Sequence, residues 1–149
     1  MKKKFKFYII LIIGVFAFDN LSALQSDYFS KGKLLFENKD FEESKFFFEK
    51  DIVFNPRSEN SYLYLAKIFK KNNNDIEEEK NLDSVLLLNP KNDEAIYLLV
   101  LLKIKQSDYS GAKELLKKFE LVCNSFCNKK NEIQNKFNKL IPENEKNKN

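Results

Sequence analysis

The dipeptide Asn-Pro occurs at Asn55-Pro56 and again at Asn89-Pro90, 34 residues later. Tyr28 and Tyr62 keep the same spacing, as do Gly32 and Ala66, and Asp40-Phe41 returns as Asp108-Tyr109 at twice that distance. A fixed period of this length means that each repeat is one supersecondary unit whose apolar face its neighbours must cover. The polar strings Asn38-Lys39-Asp40, Asn72-Asn73-Asn74-Asp75 and Ser107-Asp108 divide each period in two, and each ends in a good N-cap residue. Each proline follows a second half, where its ring and missing N–H stop a helix. The spacing predicts helix pairs at 26–38 with 41–54, 61–72 with 76–88, and 93–106 with 109–122. An amphipathic capping helix follows at 128–140, with Ile133, Phe137 and Leu140 at helical spacing.

Aligned on the period, the first copy reads Tyr28, Lys31-Gly32, Leu35, Ser44, Phe48, Pro56. The second reads Tyr62, Leu65-Ala66, Phe69, Glu78, Leu82, Pro90. In the third, Ile96, Leu99-Val100, Lys103, Ala112 and Leu116 lead to Asn124 where a proline is expected. From about Gln25 to Phe126 the chain resembles three tetratricopeptide repeats, whose pattern is an aromatic, a Leu-Gly pair, an aromatic, a small residue, an aromatic and a proline. The resemblance implies an all-α helical solenoid of three helix pairs plus a C-terminal cap. Its domain is expected at 24–140, with repeats at about 25–58, 59–92 and 93–126 and a disordered tail at 141–149. Three departures stand out. Glu78 falls where a small residue belongs. Asp75 comes one residue late as a cap, which reads as a one-residue insertion in the second turn. Val100 and Lys103 make the third copy the most divergent, as terminal repeats often are.

The first 23 residues are of another kind. Met1-Lys2-Lys3-Lys4-Phe5-Lys6 is a basic start, residues 7–18 are an unbroken apolar run of 12, and Leu21-Ser22-Ala23 offers a cleavage point. That is the layout of a secretory signal, too short for the ~20 residues of a spanning helix. An exported protein is expected, in a bacterial periplasm or cell envelope; the alternative is an uncleaved segment that anchors the repeats to the inner membrane. Without residues 1–23 the chain holds 22 basic and 21 acidic residues, so its bulk charge carries no nucleic-acid partner.

Catalytic chemistry finds little to use. The chain has no histidine, and Gly14, Gly32 and Gly111 are its only glycines, too scattered for a phosphate loop. Glu42-Glu43 and Glu77-Glu78-Glu79 read as first-turn residues favoured by the helix dipole. No enzyme, cofactor or metal is expected, although a small hydrolase or effector on a helical scaffold is kept as a distant alternative.

A protein or peptide partner, acidic in character, is what the resemblance implies. Its groove positions fall on Phe29, Lys33 and Phe36, then Leu63, Lys67 and Lys70, then Tyr97, Leu101 and Ile104. A membrane is a partner only if the N-terminal segment is retained, and the oligomeric state is open.

Two further features lie outside that groove. Phe46, Phe47 and Phe48 are consecutive and cannot all face one core, since successive helical residues sit ~100° apart. Phe48 shares an arc with Phe41, Ser44 and Ile52, and Phe47 and Phe54 lie beside it. Phe46 and Val53 point the other way with Glu42 and Glu49, an alternative interface. Leu87 and Leu121 repeat Val53 in the later copies. The other feature is Cys123 and Cys127, the only cysteines. Two thiols without histidine do not make a metal site. In an exported protein a disulfide between them is expected, the alternative being two free thiols packed as small hydrophobes. The expected outcome is that the purified protein reacts with a thiol reagent only after reduction; full reaction beforehand rejects the bridge.

Overall fold

The structure, a computed structural model, describes residues 27–140. The expected signal at 1–23 and the tail at 141–149 lie outside the described residues. Seven α-helices and one 3-10 turn occupy the described part, with no strand. α1 covers 27–37, α2 Phe41–Phe54, α3 Glu59–Lys71, α4 Asp75–Leu88, α5 Asp93–Lys105 and α6 Tyr109–Val122. A 3-10 turn at Cys127–Lys129 leads into α7, Lys130–Leu140. The expected cap at 128–140 is thus an α-helix from Lys130, preceded by a tighter turn that starts at the disulfide-bonded Cys127.

The 34-residue period is written in the backbone. Asp40, Asn74 and Asp108 cap α2, α4 and α6, each accepting the N–H three residues on, from Glu43, Glu77 and Gly111. Lys39, Asn73 and Ser107, each just before a cap, hold φ at 64°, 54° and 62°. That left-handed conformation lets the cap residue's N–H reach back to Leu35, Phe69 and Lys103, at 2.9–3.0 Å. The one-residue insertion expected in the second turn is therefore absent. Asn74, not Asp75, is the cap, because its side chain accepts the Glu77 N–H at 3.2 Å and Asp75 is already helical. Glu78 then stands in strict register with Ser44 and Ala112.

Residues to Ser61 and residues from Tyr62 form two compact units. In the first, α1 and α2 meet at Gly32, where an added Cβ would lie 2.9 Å from the Phe48 ring. The Ser44 hydroxyl donates to the Gly32 carbonyl at 2.8 Å, satisfying both groups at the closest point. Phe48 is fully buried, with Phe29 against it at 5.9 Å between centroids. Phe47 is also buried, sharing a stacked contact with Tyr28. Phe46 is 50% exposed and Val53 74%. Phe54, expected beside the buried arc, is 54% exposed and stacks on Tyr28 at 5.5 Å between centroids. Below Phe48, the buried Asp51 carboxylate accepts the Ser61 hydroxyl, which in turn accepts from Ser58.

In the second unit α5 is the centre. Ala95 to Val100 are all buried, as are Leu102 and Ile104, and α4, α6 and α7 pack around them. A helix that is apolar all round is an enclosed helix. Lys103 does not break that core, although its counterparts in the earlier copies are Leu35 and Phe69. Its ammonium leaves the helix to meet Glu79 at 2.5 Å and Asp108 at 3.7 Å. The loop after α6 is held by Asp93, whose carboxylate accepts the N–H groups of Asn124 at 2.7 Å and Phe126 at 2.8 Å. Cys123 and Cys127 form a disulfide across the same loop.

Truncating Phe48 removes a fully enclosed ring and leaves a cavity. Phe48→Ala is expected to cost about 3–5 kcal/mol, whereas Phe46→Ala stays within about 0.5 kcal/mol, as at most surface sites. Chemical denaturation of the two variants measures the difference.

Candidate binding cleft

Within the second unit an open cleft of ≈ 570 Å³ lies over the ends of α3, α5 and α7. Leu101, Leu102 and Ile104 of α5 and Leu140 of α7 give it an apolar floor and rim, with Tyr109 at one end. The two left-handed turn residues Asn73 and Ser107 line it as well. Four charged side chains converge there: Lys70 from α3, Glu78 from α4, Lys105 from α5 and Lys136 from α7.

These charges are unequally matched. Lys105 is committed to Asp75 at 2.5 Å. Lys70 and Lys136 have neither a hydrogen bond nor an ion pair within contact distance among the described residues. Burial pushes the Lys70 pKa down, Glu78 opposes that, and Lys136 and Lys105 push it further down. Glu78 is only 2% exposed, and burial drives its carboxyl above the ordinary range against the attraction of Lys70. The Glu78 side chain has no hydrogen bond among the described residues. Every fully enclosed side-chain oxygen or nitrogen among the described residues has a partner, so the Glu78 carboxylate must reach the cleft surface.

The nine groove positions expected from sequence do not behave alike. In the first unit, Phe29 and Phe36 are half-buried, Phe36 edge-on to Phe41 at 5.3 Å, and Lys33 is exposed beside Glu37 at 3.9 Å. In the second, Leu63 is a buried core residue. Lys67 is tied to Glu94 at 2.7 Å and lies over the Tyr64 ring. Tyr97 is buried beside Phe119 and Phe126, and its hydroxyl donates to Glu132 at 3.0 Å. Lys70, Leu101 and Ile104 alone meet in the cleft. Lys105, Lys136 and Glu78 were not expected there. The period could have found Glu78, since it aligns with Ser44 and Ala112; nothing in the sequence marks Lys136.

Among the described residues no group of three His, Cys, Asp or Glu is placed to hold a metal, and no helix is long and apolar enough to cross a membrane. What the cleft offers is a shallow apolar bed, two uncommitted ammonium groups and one uncommitted carboxylate. That set suits binding of an amphipathic chain.

No family model matches the chain, and no curated protein matches it. Solved structures do. The chain is similar to one in the "CopN-Scc3 complex", at 16% identity and a TM-score of 0.65, over 74% of this chain and 67% of that one. It is likewise similar to the Sgt2 TPR domain from Aspergillus fumigatus, at 15% identity and a TM-score of 0.64, over 77% of this chain and 80% of that one. The fold is the tetratricopeptide-type all-α helical solenoid that the sequence resemblance implied.

Because the native state takes up a proton at Glu78 more readily than the unfolded chain does, the ionised carboxylate opposes folding above its raised folded pKa. This penalty vanishes as pH falls below the ordinary glutamate range. Glu78→Gln is therefore expected to raise the thermal midpoint at pH 7 and to leave it little changed near pH 4. Melting curves at the two pH values check the sign; a lowered midpoint at pH 7 would refute it.

Proposed function

We propose that the chain is a non-enzymatic scaffold, exported from the cytoplasm into a bacterial cell envelope, that binds an acidic segment of a protein partner through the cleft between α3, α5 and α7. One observation carries the binding reading: an apolar bed with Lys70 and Lys136 uncommitted beside it. Two ammonium groups held over apolar surface attract a carboxylate, and the bed contributes roughly 25 cal/mol per Å² of apolar area covered. Export is supported by the basic start and the apolar run of residues 7–18, and by a disulfide, which persists in oxidising compartments. The fold supports the scaffold role by analogy, since helical solenoids present extended binding surfaces.

The test uses the full chain expressed with a C-terminal tag and recovered from envelope fractions after cross-linking. A mature N-terminus near Leu24 and a cross-linked partner lost in the Lys70→Glu/Lys136→Glu double variant are expected. A chain that keeps Met1 argues for the anchored form. Cross-linking that is untouched by the double variant places binding elsewhere.

A further inference from the structure

Glu78 occupies the place where a repeat of this kind brings two helices closest. Its counterparts are Ser44, which is fully buried with its hydroxyl on a backbone carbonyl, and Ala112, also fully buried. A glutamate there is longer than the position requires, and it is nearly enclosed without a hydrogen bond. Desolvating a carboxylate costs free energy even where its oxygens still reach the cleft surface, and burial raises the Glu78 pKa accordingly. An alanine at the same point, as in the next repeat, avoids that cost. The charged groups acting on it are Lys70 of α3, Lys105 of α5 and Asp75 of its own helix, and Lys136 of α7 lines the same cleft and acts on Lys70. Lys105 and Asp75 bind each other. Glu78, Lys70 and Lys136 remain.

We propose that these three side chains form a two-signed recognition site, in which Glu78 accepts a backbone N–H of a bound peptide while Lys70 and Lys136 hold the carboxylate of an adjacent acidic side chain. The apolar side chain next to that acidic residue rests on Leu101, Ile104 and Leu140. This deepens the proposed function and rests on it. It assigns Glu78 to specificity: an anionic group alone satisfies the lysines, but only a segment with a free amide at the right place satisfies Glu78. Selectivity of this kind is strong, because an analogue lacking the donor leaves a desolvated acceptor unpaired.

A library of C-terminally amidated hexapeptides provides the probe, read by fluorescence of the labelled full chain, with a parallel set carrying N-methyl groups. The wild-type chain is expected to select Asp or Glu next to Leu, Ile or Phe, and N-methylation of the selected peptides should weaken binding by about tenfold or more. Lys70→Gln/Lys136→Gln should lose the acidic preference. Glu78→Ala, which restores the small residue of the other repeats, should fold, keep the acidic preference and no longer distinguish methylated from unmethylated peptides. Insensitivity of the wild-type chain to N-methylation, or an equal sensitivity in Glu78→Ala, overturns the role of Glu78. A cleft that selects peptides of other chemistry, still dependent on the lysine pair, removes this proposal and leaves the scaffold reading standing. Selection that ignores all three substitutions, or no selection at all, removes both.

Discussion

The left-handed residue between the two helices of each pair governs the rest of this structure. At Lys39, Asn73 and Ser107 the backbone turns through positive φ, and the next amide closes back onto the helix just finished. End and beginning are thereby fused, with no slack for one helix to slide on the other. Such a conformation costs a non-glycine residue on the order of 1 kcal/mol or more, least for asparagine, whose short polar side chain tolerates it. None of the three positions uses glycine. The return is a fixed register, so that residues 34 apart take equivalent places within their helix pairs whatever their chemistry. That is why a glutamate at 78 enters a place shaped for serine or alanine.

Glu78 and Glu79 show how sharply environment divides neighbouring residues. Both lie in the first turns of α4, one residue apart. Hydrogen bonds from Lys103 and Gln106 hold the Glu79 carboxyl below the ordinary range, and Lys103 is raised in return. Burial drives Glu78 the other way, and no donor reaches it. A helix turns about 100° per residue, so one carboxylate meets the α5–α6 turn while its neighbour enters the cleft. The first acts as a brace between repeats. The second is an acceptor that the cleft leaves without a hydrogen bond among the described residues, with the Lys70 and Lys105 charges attracting it.

Much of the fold was legible because its signals are local and repeated. α2 and α6 run over the residues that the spacing predicts, and α5 differs by one residue at its end, since caps and prolines leave little choice. The second turn is ambiguous from sequence for an instructive reason. Asn74 and Asp75 are equally good caps by residue type, and only the backbone shows that Asn74, the one in register, accepts the Glu77 N–H. The groove was less legible. Leu63 and Tyr97 hold positions that face outward in a general repeat, but here Leu63 joins the core and Tyr97 lies under Phe126 with its hydroxyl on Glu132 of α7. Lys67 looked free and is held by Glu94. Lys67 and Lys105 are committed to partners 27 and 30 residues away, and a periodic reading has no access to such pairs.

The disulfide closes only a five-residue loop, so its effect on the unfolded chain is modest, about 2 kcal/mol in the chain-entropy picture. Its position matters more than that figure. In a linear array of repeats each unit leans only on its neighbours, and fraying begins at an end. Here α7 is joined to the array through the one junction that lacks a proline. That junction is a loop whose amides grip Asp93 and whose two ends are covalently linked. Burial pushes the Asp93 carboxyl up, but the N–H groups of Phe126, Asn124, Ser125 and Glu94 outweigh it and hold the group charged. The start of α7 is therefore anchored, while Ile133 and Phe137 in the core and the Tyr97–Glu132 hydrogen bond hold its length. A helix tethered at a fixed start stays close to its own docking surface when it opens, so its contacts re-form as an intramolecular event at high effective concentration.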